Sequence, residues 1–146
     1  MTFSSDDLQR IVHTVWSTQI RFNLDSGDPA ELARRLTAED MVSIEVAFVG
    51  DFNGKLVQRC SQHVSLTAAA AAFSTSGSEV EVSDIRDTVT EMAHMTAGNL
   101  KSLLPGECRV CEAGEVPNAA GSEKIIATAG FTFEGEPLVV DLIQRS

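Results

Sequence analysis

The spacing of apolar residues predicts where the chain coils and where it extends. Leu8, Ile11, Val12, Val15, Trp16 and Ile20 recur at intervals of three and four, the signature of one helix face. A first helix is therefore expected from about Asp6 to Phe22. Ser5 or Asp6 would be its N-cap, with Asp7 near the positive end of the dipole. The segment NLDSGDP breaks it, and Asp28 ahead of Pro29 starts a short helical turn through Leu36. In VSIEVAFV the period changes to two. Val42, Ile44, Val46 and Phe48 share one face, and Ser43 and Glu45 take the other. GDFNG turns the chain back into KLVQRCS, which makes a hairpin.

Leu66 to Phe73 is rich in alanine and reads as a short helix, followed by a loop over Ser74 to Ser78. A long helix is expected from about Val82 to Leu104, stopped by Pro105-Gly106. ECRVC is short enough for one small strand. IIATAGFTF and PLVVDLI read as two strands joined across Glu134-Gly135-Glu136. Strands in hairpin runs, with helices set apart, imply an α+β fold: an antiparallel sheet with helices packed on one side. No repeat or low-complexity linker divides the chain, so one domain spanning 1–146 is expected.

Charge narrows the function classes. Twenty-one acidic residues against eleven basic ones leave a net charge of −10. Such a field repels phosphate backbones and anionic lipid surfaces, so nucleic acid and membranes are poor partners. No stretch approaches the length of a membrane span. MTFSSDDLQR lacks the basic and apolar blocks of a signal peptide, and three cysteines is an odd count. A cytoplasmic protein with reduced thiols is the expectation.

The long helix carries the candidate chemistry. Val89, Ala93, Ala97, Leu100 and Leu104 form one stripe, able to face the sheet. Asp87, Glu91, His94 and Gly98 form a second, which Lys101 continues. Residues three and four apart are neighbours on a helix surface, so Glu91 and His94 can reach one small object outside it. Gly98 leaves bare surface beside them, where a partner can approach closely. Met92 belongs near the buried stripe, whereas Met95 adjoins His94 within reach of a partner. Asn99 lies five residues beyond His94, ~140° further round the helix, and points elsewhere.

The spacing Asp87-x3-Glu91-x2-His94, then 22 residues, then Pro117, resembles the signature of the CheX/CheC/FliY chemotaxis phosphatase family. The continuation MTAGNLKSLLP is similar to that of CheX-type members. The first helix, SDDLQRIVHTVW, lacks a second copy of the motif, so CheX is the closer relative. The resemblance implies a phosphatase acting on the aspartyl phosphate of CheY-like response-regulator receivers. It implies that Glu91 pairs with the receiver's active-site lysine and that residue 94 reaches the phosphoryl group and orients water. The chain then needs no cofactor of its own, because the receiver supplies magnesium. Asp87, Met95, Gly98, Lys101 and Pro117 would support or contact the partner, Pro117 by shaping its loop. The resemblance is also compatible with a homodimer through the sheet, and equally with another partner bound at the sheet edge.

One position departs from the family pattern, which has asparagine where His94 stands. A neutral imidazole, like an amide, donates at one atom and accepts at another. Two outcomes follow: hydrolysis at an altered rate, or a receiver-binding scaffold without turnover. A third reading, from a different class, is a small zinc-binding structural protein using Cys60, His63, Cys108 and Cys111. Residues three apart on a strand point to opposite faces, so partly buried reduced thiols are expected and no metal. No nucleophile elbow and no phosphate-binding glycine loop occurs.

Overall fold

A computed structural model describes residues 3–112, 115, 117 and 121–146. Helix α1 (Ser5–Ile20) opens with a capping box in which Ser4 and Asp7 bond each other's backbone. It ends two residues before the expected Phe22, because Arg21 turns left-handed at φ 61°. That reversal lets the Phe22 amide donate to Trp16 O and lays the Phe22 ring on Phe133, with centroids 3.9 Å apart. Strand β1 (Asp25–Ser26) follows inside the segment expected only to break the helix. Helix α2 (Pro29–Arg35) starts as the Asp28-Pro29 pair predicts, with Asp28 accepting from the Ala30 amide.

Strands β2 (Val42–Gly50) and β3 (Gly54–Cys60) form the expected hairpin. Helix α3 (Gln62–Ala72) starts four residues before the expected Leu66, where Ser61 caps the Val64 amide. Helix α4 (Val82–Lys101) carries the candidate stripe. Leu103 and Leu104 continue it only as turn-like bonds to Leu100 O and Lys101 O. Strand β4 (Cys108–Val110) and the long strands β5 (Glu123–Phe133) and β6 (Glu136–Arg145) complete the chain. Glu134 and Gly135, at φ 52° and 79°, make the two-residue turn between the last two.

The six strands form one antiparallel sheet in the order β1-β5-β6-β3-β2-β4. The α+β antiparallel architecture expected from the sequence is the one observed. Helices α1, α3 and α4 share a face of that sheet. Their buried residues join Ile44, Val46, Phe48, Leu56, Ala129, Phe131, Leu138, Val140 and Leu142 in one core. The small helix α2 is the exception, because it packs on β5 and β6 from the opposite face. Gly130 points away from Ala129 and Phe131 by strand alternation. A Cβ at Gly130 would lie 2.8 Å from the Pro29 Cα and 2.9 Å from Gly27 O. Only glycine therefore lets α2 approach this closely.

One polar residue sits in the middle of the core. Gln58 follows the inward parity of Leu56 and Cys60 and is 1% exposed. Its Nε2 donates to Val89 O of α4 at 2.9 Å. A buried amide costs free energy unless it is bonded, and here its bond ties the central strand to the site helix two residues before Glu91. The outer face of the sheet instead carries Arg59 on Asp141 at 3.1 Å, with Thr128 donating to the same carboxylate at 2.6 Å.

Candidate functional site

Helix α4 begins where the Glu81 amide donates to Asp84 Oδ2 at 3.3 Å, placing a carboxylate in the first turn. One side of the helix is buried against α1, α3 and β2. Val89, Ala93, Ala97 and Leu100 are fully buried, and Met92 is 4% exposed. Thr88 and Thr96 are buried with them because each hydroxyl returns its hydrogen to a carbonyl one turn back, on Asp84 and Met92. This apolar stripe fixes the rotation of the helix. The opposite stripe therefore faces solvent.

On that stripe Asp87, Glu91, Gly98 and Lys101 are exposed and His94 is half-buried. Glu91 and His94 stand ~60° apart round the axis and ~4.5 Å apart along it. Among the described residues, the side chains of Asp87, Glu91 and His94 make no hydrogen bond or ion pair within the chain. Their donors and acceptors remain available to another molecule. A Cβ built on Gly98 meets nothing within 4 Å, so the glycine keeps this surface low without any internal packing need for it. Gly98 and Lys101 also line a shallow cleft of ≈ 450 Å³ with Ser102, Gly106, Glu107 and Cys108.

The other named residues lie around this face. Met95 is half-buried and packs against the core. Asn99 turns toward α1, bonds Met95 O at 2.9 Å and lines a separate cleft with Arg10, Ile11 and Thr14. Pro117 is half-buried in the segment between β4 and β5. Nearby, Arg109 clasps Glu115 with two bonds of 2.9 and 2.8 Å. The sequence reading missed this clasp, which anchors the same segment from the β4 side.

The guanidinium of Arg109, with help from the Glu112 amide, holds the Glu115 carboxyl down at about 2. A depressed carboxyl stabilises the fold above its ordinary value near 4.5 and loses that contribution as pH falls through about 2. Arg109→Ala is expected to return the Glu115 titration toward 4.5 in a carboxyl-detected NMR series. An unchanged midpoint would remove the clasp as the cause.

The four residues of the zinc-like set are not assembled. Cys60 is buried in the core, which pushes its thiol up to about 12. His63 sits at the surface on Glu134, 2.9 Å away. Cys108 and Cys111 lie at the far edge of the sheet, on and just beyond β4. Among the described residues no group of three or more His, Cys, Asp or Glu is placed to hold a metal ion. Nor is any helix among them long and apolar enough to cross a membrane.

The fold has counterparts in known proteins. The CheX of a CheX–CheY–BeF3–Mg2+ complex from Borrelia burgdorferi superposes with a TM-score of 0.69 at 16% identity, over 95% of this chain and 96% of that one. A chemotaxis protein CheX from Vibrio vulnificus gives 0.68 at 14%, over 96% and 95%. A CheC-like superfamily protein from Shewanella sp. PV-4 gives 0.64 at 16%, over 97% and 96%. At such identities these likenesses establish the fold. No curated protein matches in sequence. The family described as chemotaxis phosphatase CheX matches residues 42–129, more than half the chain and all of α4. This chain therefore belongs to the chemotaxis phosphatase CheX family.

Proposed function

We propose that the chain accelerates hydrolysis of the aspartyl phosphate of a CheY-type receiver, using the solvent face of α4. The observation that carries this reading is the pairing of Glu91 with His94. Both are accessible, both lack partners among the described residues, and they sit one turn apart beside a bare glycine. A structural relative of the same fold is known in complex with CheY, BeF3 and Mg2+. In this reading Glu91 pairs with the receiver's active-site lysine and sets the orientation of the complex. His94 reaches the phosphoryl group and holds a water in line with it. The receiver brings the magnesium. Positioning and electrostatics supply most of the catalysis in phosphoryl transfer, so two well-placed side chains suffice.

The residue at position 94 favours one second reading. An imidazole is bulkier than the asparagine of the family pattern, and a receiver can dock on α4 without its phosphate being turned over. One experiment separates the two. The chain is mixed with a phosphorylated CheY-type receiver and magnesium, and phosphate release is followed alongside complex formation. Release faster than the receiver's own decay supports hydrolysis. A stable complex with unchanged decay supports docking alone. Neither complex nor acceleration would remove both readings.

A further inference from the structure

We infer that Gln58 is a positioning residue for the α4 face: its hydrogen bond to Val89 O sets the height and rotation at which Glu91 and His94 meet the receiver. The inference rests on the receiver-directed reading of α4 and names what holds that face in place from inside the core.

Gln58 lies in the middle of the sheet, in register between Ile44 of β2 and Val140 of β6. It points into the core and is 1% exposed. Its Nε2 donates to Val89 O at 2.9 Å, a carbonyl that is also the acceptor for the Ala93 amide in the helix ladder. Its Oε1 is buried without a hydrogen-bond partner among the described residues. The gain from one such bond and the cost of one orphaned buried acceptor are similar in size. The amide therefore adds little net stability, and a flexible apolar side chain of the same length would fill the space as well. What an apolar side chain lacks is direction.

Direction matters because of the way α4 rests on the sheet. Val89, Ala93, Ala97 and Leu100 form its buried stripe. Two of the four are alanines, whose methyl groups raise only shallow ridges. Such a contact fixes the distance between helix and sheet more firmly than the position along the helix axis. A hydrogen bond to one carbonyl fixes that position. Val89 precedes Glu91 by two residues and His94 by five, ~3 and ~7.5 Å along the axis. Both side chains ride on the same rigid turns, so a displacement at Val89 carries through to them. They respond to it differently. A long carboxylate side chain can re-aim to keep an ion pair with a lysine, whereas the in-line water held by His94 tolerates little misplacement. Loosening α4 therefore slows turnover more than it weakens docking.

The test compares the full chain with Gln58→Met, which keeps the side-chain length and removes the amide, and with Gln58→Leu as a second apolar variant. The urea midpoint of Gln58→Met should lie at or above that of the wild type. With a phosphorylated CheY-type receiver and magnesium, its kcat for phosphate release should fall about tenfold while KM stays within about twofold. In NMR spectra of the free protein, the Val89 carbonyl and the Glu91 and His94 amides should shift. Wild-type kcat in both variants would overturn the positioning role and leave the phosphatase reading standing. A kcat loss that only tracks a fall in urea midpoint would also overturn it, because that is how any core residue behaves. If the wild-type chain releases no phosphate, the phosphatase reading fails by itself and the spectra decide. Unmoved Glu91 and His94 amides in folded Gln58→Met would then overturn the inference, and shifted ones would uphold the hold of Gln58 on this face.

Discussion

Glu91→Ala should reduce the acceleration of receiver dephosphorylation by about 100-fold while leaving the fold intact. The size of the loss follows from the role proposed for the carboxylate. It does no bond-making and fixes the angle at which α4 meets the receiver, and small misplacements of a reacting group cost about two orders of magnitude. The intact fold follows from its surroundings. Glu91 is exposed and has no internal partner among the described residues. Surface substitutions of this kind change stability by about 0.5 kcal/mol or less. The measurement is phosphate release over a range of chain concentrations, with a urea melt of each variant beside it. Glu91→Gln separates charge from shape, since it keeps the side chain's length but cannot form an ion pair. Wild-type rates in both variants would show that another group docks the receiver.

Trp16→Ala should cost about 3–5 kcal/mol of stability, enough to leave a domain of ordinary stability barely folded. Trp16 is fully buried where α1 meets the sheet, 5.9 Å from the Phe22 ring. Alanine would leave a cavity that the surrounding strands cannot close. Trp16→Phe should cost markedly less. The indole Nε1 is buried with no hydrogen-bond partner among the described residues, so losing that atom removes an unmet donor as well as some packing. Urea denaturation followed by circular dichroism compares the two. Equal losses would mean that the indole nitrogen is bonded in solution and that its loss matters as much as the volume.

The candidate stripe was legible because a helix writes its orientation into its own sequence. Val89, Ala93, Ala97 and Leu100 had to be inward, which forced Glu91, His94 and Gly98 outward. The same logic found the β2–β3 hairpin and the β5–β6 pair. Gln58 escaped notice, although it had a signal: an amide at inward parity between Leu56 and Cys60. What it bonds to lies 31 positions away, so only the packed helix reveals its purpose. The Arg109–Glu115 clasp near Pro117 had no periodic signature at all.

Periodicity, caps and turn residues reach no further than about one helical turn or one strand pair. They were enough to place four helices, the long strands and the motif on α4. They could not say that β1, two residues long, closes on β5, or that β6 runs between β5 and β3. They also could not put α2 across the sheet from the other helices, a choice made by the close fit of Pro29 over Gly130. Which strands become neighbours depends on burying shared surface between segments far apart in the chain. That preference belongs to the assembled core and is absent from any short stretch of residues.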